Sequence, residues 1–167
     1  MESQMTEENK TAAQAANQNN APSLSLQKVY VKDVSFEAPN APEIYNEKGQ
    51  PEIKMNLNQK VKTVSEGIYE VVLTITVTCN ILEKTAYLVE VQQAGIFGLS
   101  NFEENVMHQT LGAYCPNVLF PYARQMVSEL VMNGGFQPLM LQPVNFDQLY
   151  AQQMQQAQQQ SEAATKQ

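Results

Sequence analysis

The residues able to do covalent or metal chemistry are few in this 167-residue chain, and their spacing argues against most reactions. His108 is the single histidine, which excludes paired-histidine motifs and multi-histidine metal sites. His108 and Cys115 would make a base and nucleophile only if folded into contact. Helix breaks around Gly112 and Pro116 make their reach unpredictable, and a helix-end histidine with a packed thiol is the plainer expectation. Gly95-Ile96-Phe97-Gly98 and Gly134-Gly135 lack the Lys-Ser/Thr or glycine spacing of a phosphate cradle. Asp33 and Asp147, the only aspartates, stand among aliphatic and aromatic residues, so paired-carboxylate hydrolysis has no site. The expectation is a protein without catalytic residues, metal ligands or cofactor, and not an enzyme.

Two groups of residues are instead suited to binding. Asp33 and Glu37 share parity in one alternating stretch, and Leu88 and Glu90 share it in another. Residues of like parity project from one face of a strand, so adjacent strands would join these four into an acidic patch with an apolar anchor. Such a patch fits a small Lys- or Arg-rich partner. The second group is an apolar excess in segments that read as loops and a last helix: Ile44, Tyr45, Phe136, Leu139, Met140, Leu141, Phe146 and Tyr150. It would line an adaptable groove or, alternatively, serve core packing and subunit contact. The residues alone leave open a carrier of a small apolar ligand or peptide using that groove.

The elements that must position these groups are legible in the periodicity. Residues 26–37, 52–61, 68–80 and 84–97 alternate at period two, with Ile53, Met55, Leu57, Val71, Ile75, Tyr87 and Val89 on the apolar side. Short connections between the last three predict antiparallel hairpins, whereas Ala38 to Pro51 must cross the sheet or its edge. From Asn101 the period becomes helical. The pattern predicts a short helix over 102–111 with Asn101 as N-cap, a longer one opened by Pro116 and stopped at Asn133-Gly134-Gly135, and a last one capped by Asn145. In the long helix, Leu119, Phe120, Met126, Val127 and Leu130 make an apolar arc wider than one sheet needs, which predicts a subunit contact in addition to the sheet or, alternatively, a helix buried deep within the single chain. The class is α+β, strands first and helices after.

Composition bounds the rest. Hydrophobic residues make up 43% and charged residues 16%, enough for one core. The net charge is −7 and Arg124 is the only arginine, which opposes nucleic-acid binding and favours a basic partner. No window approaches the ~18–20 apolar residues of a membrane span and the polar start is no signal peptide, so the expectation is a cytoplasmic protein without membrane insertion, its Cys79 and Cys115 reduced. Residues 1–22 read as a disordered acidic and polar arm, 23–150 as the folded domain, and 151–167, with eight glutamines, as a tail partly helical and then disordered.

Specific strings sharpen this. KDVSFEAPNAP (32–42), YEVVLTITVT (69–78), EVQQAGIF (90–97), LGAYCPNVLFPYAR (111–124) and PVNFDQLYAQ (143–152) resemble the SecB protein-export chaperone family, in family order over much of the chain. The resemblance implies a four-stranded antiparallel sheet with helices on one side, assembled as a homotetrameric dimer of dimers. It implies an ATP-independent holdase that keeps unfolded precursor proteins export-competent and passes them to the SecA motor. Asp33, Glu37, Leu88 and Glu90 match the family's patch for the basic, zinc-containing C-terminal segment of SecA, the zinc belonging to that partner. The client groove is implied between the crossover loop and last helix. One departure stands out: Gly49 occupies a position where members often carry tryptophan, which removes a large apolar contact.

Overall fold

Period-two alternation in β-branched and aromatic residues produces strands with one dry face. In the computed structural model, which describes residues 20–165, β1 (Ser23–Glu37), β2 (Glu52–Ser65), β3 (Ile68–Ile81) and β4 (Lys84–Ser100) form one antiparallel sheet in the order β1-β4-β3-β2. Val71, Leu73, Ile75 and Val77 of β3 and Tyr87, Val89 and Val91 of β4 are buried beneath the helices. Full burial of each aliphatic side chain is worth ~1.5–3 kcal/mol before entropy is counted. The even-numbered partners Glu70, Thr74, Thr76 and Thr78 point to the opposite, open face. The strands run a few residues longer than their alternation predicts.

Two hairpins join β2, β3 and β4. Gly67, at φ 69°, supplies the left-handed residue of the first. The second has a two-residue loop, Leu82-Glu83, with φ values of 49° and 63° where Asn and Gly are usual. Because β1 and β2 occupy opposite edges, the chain between them crosses the ends of β4 and β3. Ile44, only 2% exposed, pins a 3₁₀ turn at Glu43–Asn46 to the core. Asn40 Nδ2 donates to the Thr85 carbonyl at 2.9 Å, and Lys84 pairs with Glu47.

The helical half departs from expectation at its start. α1 (Glu104–Gln109), a π turn at Thr110–Tyr114 and α2 (Cys115–Asn133) make one continuous rod, without a break at Gly112 or Pro116. Pro116 cannot donate to the Gly112 carbonyl one turn earlier, and Gln59 Nε2 donates to that oxygen instead, at 2.9 Å. Glu103 is the N-cap residue; Asn101, at φ 60°, lies in the preceding turn and donates from Nδ2 to the Ala21 carbonyl at 3.2 Å. Gly135, at φ 84°, follows the rod's end. α3 (Phe146–Thr165) starts as predicted, Asn145 Oδ1 accepting from the Gln148 N–H at 3.0 Å, and takes in most of the glutamine-rich tail.

The apolar arc of α2 divides into an inner and an outer part. Leu119, Phe120 and Val127 are buried in the chain's own core together with Ala123 and Val131. They pack on the sheet. Met126 and Leu130 are only partly buried and remain on the flank. The expected arm falls, through residue 19, outside the described residues.

Candidate functional site

The register between β1 and β4 decides whether the four patch residues meet. Glu37 stands opposite Leu88, Ser35 opposite Glu90 and Asp33 opposite Gln92, so Asp33, Glu37, Leu88 and Glu90 share the open face at one end of the sheet. Glu90 is partly buried and accepts from Thr76 Oγ1 at 3.0 Å, which fixes its carboxylate between β4 and β3. Asp33 and Glu37 are exposed. The arrangement is a shallow acidic surface with Leu88 as a partly buried apolar point, able to take cationic groups by charge and a methylene stem by contact.

Farther along the same face, Glu70 accepts from Lys32 Nζ at 2.7 Å and from the Tyr30 hydroxyl. The Lys32 hydrogen bond, ahead of that from Tyr30, holds the Glu70 carboxyl below its ordinary value. The same Glu70 bond, with burial second, pushes the Tyr30 hydroxyl up to about 12. This network staples the edge strand β1 to β3 across β4.

On the helix side, the crossover segment meets the turn after α2 in an aromatic cluster. Phe136 lies 4.9 Å from Tyr87 and 5.1 Å from Tyr45 between ring centroids, and Phe36 stacks on Tyr87 at 5.9 Å. Tyr45 donates its hydroxyl to the Gly134 carbonyl at 2.8 Å, tying the loop to the end of α2. A Cβ at Gly134 would stand 2.1 Å from the Phe36 ring, so only glycine permits this approach. The cluster borders a hollow of about 600 Å³ lined by Ile44, Tyr45, Glu47, Pro51, Cys79, Ile81, Tyr87, Gly135, Phe136 and Gln137. A second hollow, of about 270 Å³, lies between β2 and α3, among Met55, Leu57, Gln59, Leu73, Gly112, Phe146 and Leu149.

The expected groove residues therefore divide. Ile44, Tyr45 and Phe136 line the larger hollow and Phe146 the smaller. Ile44, Leu141 and Phe146 are buried and can serve only as floor, whereas Tyr45 and Met140 are exposed. Leu139 is partly buried against the core, Met140 Sδ lies 3.8 Å from Ser128 Oγ on α2, and the Tyr150 ring sits against Gly112. Sequence reading missed Tyr87, Cys79 and Ile81 as wall residues. Their apolar parity marked them as interior, and only the strand order puts them at the crossover end. Beside them, a Cβ on Gly49 would stand 2.7 Å from Leu82 Cγ and 2.9 Å from Ile81 Cγ2, so these side chains occupy the space next to that glycine.

The thiols are unsuited to nucleophilic work. Burial pushes Cys115 up to about 12 and raises Cys79, leaving both protonated near neutrality. His108 is exposed on α1, 3.8 Å from Glu104. Among the described residues there is no group of three or more metal-binding side chains, and no helix is long and apolar enough to cross a membrane.

Comparison with known proteins gives a consistent picture. A family model described as preprotein translocase subunit SecB matches residues 17–157. The chain is 54% identical over 149 residues to the protein-export protein SecB of Methylococcus capsulatus, covering 89% of this chain and 96% of that one. It is 51% identical over 145 residues to the protein of the same name from Xylella fastidiosa, covering 87% of this chain and 84% of that one. Among solved structures, a SecB-like chaperone of Mycobacterium tuberculosis in complex with a ChAD peptide from an antitoxin superposes with a TM-score of 0.61 at 13% identity, over 72% of this chain and 90% of that one. That likeness concerns the fold.

Proposed function

This chain belongs to the SecB family of protein-export chaperones, and from that premise we propose that it is an ATP-independent, cytoplasmic holdase. It binds unfolded precursor proteins and delivers them to the SecA motor. The working unit is residues 23–150, with residues 1–22 as an arm and 151–167 as a tail. The observation that carries the client reading is the aromatic hollow at the crossover. Tyr45 is 49% exposed there while its ring packs on Phe136 and its hydroxyl is tied to Gly134, so an apolar surface is open yet held in place. Apolar contact of this kind tolerates varied sequences, and a client spanning several hollows gains by multivalency.

The acidic end, Asp33, Glu37, Leu88 and Glu90, is the docking point for the basic, zinc-containing segment of SecA. Its support is the shared face and the fixed carboxylate of Glu90. Assembly as a dimer of dimers draws on the flank of α2, through Met126 and Leu130, and on β1, an edge strand whose Leu26, Val31 and Val34 are exposed. The test is Asp33→Lys with Glu90→Lys: SecA capture weakens while client binding and a mass near 75 kDa, four copies of the 18.7 kDa chain, persist. Equal loss of all three refutes the assignment.

A further inference from the structure

The acidic end occupies only part of the open face. Toward the other end Lys28 lies opposite Ile96, Lys60 opposite Val72 and Lys62 opposite Glu70, while Lys32 reaches Glu70 from a β1 bulge. Four of the chain's ten basic residues thus gather on one stretch of sheet in a protein of net charge −7. Glu70 is the one carboxylate among those strand positions, and Lys32 and Tyr30 already hold it. The ion pairs formed among the described residues use Lys32, Lys54, Lys84 and His108; Lys62 acts on the Glu70 carboxylate from farther off, and Lys28 and Lys60 form no ion pair there. One hollow of about 600 Å³ runs between the two ends, with Lys60 and Lys62 at one, Glu90 and Gln92 at the other, and Asn58 and Thr74 between.

From the Lys60 and Val72 row to the Thr76 and Glu90 row is four residues along β3, or ~13 Å at ~3.3 Å per residue, and Lys60 on β2 and Glu90 on β4 stand two strand spacings, ~10 Å, apart across the sheet, a diagonal of ~16 Å. An extended peptide covers that diagonal in about five residues. We propose that this hollow takes a single extended polypeptide segment whose charge reverses along its length, basic residues on Glu90 and on Asp33 and Glu37 beyond the hollow's rim, and acidic residues about five positions away on Lys60 and Lys62. The inference rests on the acidic end being a docking point. It adds that the partner's segment is bipolar and that the lysines fix its register, because a slide toward the basic end brings like charges together.

The test uses full-length protein and three labelled peptides of equal length, read by fluorescence anisotropy at low ionic strength. The first carries two lysines and two glutamates separated by four neutral residues, the second alternates the same charges, and the third has lysines only. The first is expected to bind about threefold to tenfold more tightly than the second. Lys60→Gln with Lys62→Gln abolishes that preference without weakening the third peptide, and Asp33→Asn with Glu37→Gln weakens the first and third. If the acidic variant weakens them but the lysine variant changes nothing, this inference alone fails. If the acidic variant changes nothing, the docking reading fails and takes this one with it. A single-stranded oligonucleotide that displaces the first peptide from wild type but not from the lysine variant would overturn the assignment in favour of a phosphate-binding face.

Discussion

Replacing Phe136 by alanine tests whether the aromatic hollow is both a structural joint and a gripping surface. Removing a fully buried phenylalanine costs ~3–5 kcal/mol, and Phe136 is only partly buried, so the transfer and cavity loss is about half of that. Its rings at 4.9 and 5.1 Å from Tyr87 and Tyr45 add ~0.5–1.5 kcal/mol per pair beyond burial, in part already counted. The expected loss is ~2–3 kcal/mol, read as a lower urea midpoint at fixed protomer concentration, since assembly contributes to stability. Client retention should fall about tenfold, the equivalent of ~1.4 kcal/mol of apolar contact. Phe146→Ala is the control. That residue is 6% exposed, packs 5.7 Å from Phe120 and lines the other hollow, so its stability loss should be the larger, ~3–5 kcal/mol. A Tyr45→Ala and Phe136→Ala double-mutant cycle should show coupling above ~0.5 kcal/mol. An unchanged midpoint and unchanged client retention in Phe136→Ala would refute the reasoning.

Three further outcomes follow from local geometry. Leu82→Asn with Glu83→Gly relieves two non-glycine residues at positive φ and should raise stability by ~1–2 kcal/mol, measured by denaturant midpoint. Gly112→Ala places a Cβ 2.6 Å from Tyr150 ring carbons and should cost ~1–3 kcal/mol, with part recovered when Tyr150→Ala is added. Glu70 has a lowered folded pKa, so its contribution is present above the unfolded carboxyl value of about 4.3 and is lost as pH falls through the folded value. Glu70→Gln should therefore destabilise at pH 7, and the difference from wild type should shrink in melts below pH 4.

The strands were legible because alternation survives in residues such as Val71, Ile75 and Val77, whose parity alone assigns the buried face. The acidic end was legible for the same reason, although its assembly depended on a register that sequence does not give. The β1 register shift between Val31 and Asp33 brings even-numbered Lys28 and odd-numbered Asp33 to one face. Parity counting would have separated them, which is why the lysine end was invisible. The unbroken rod was equally hidden, since Pro116 signals a stop unless a distant residue, Gln59, satisfies the carbonyl it leaves bare. The two hollows read as one groove because their residues are neighbours in sequence from Phe136 to Tyr150 while α3 and the crossover lie against different parts of the sheet.

The most direct measurement is the refolding of a slow-folding precursor diluted from denaturant, with and without this protein and with no nucleotide present. Near-stoichiometric protein, counted as assembled tetramer, is expected to hold the precursor unfolded, and Phe136→Ala to release it at higher chaperone concentrations. Refolding at an unaltered rate across several precursors would contradict this expectation.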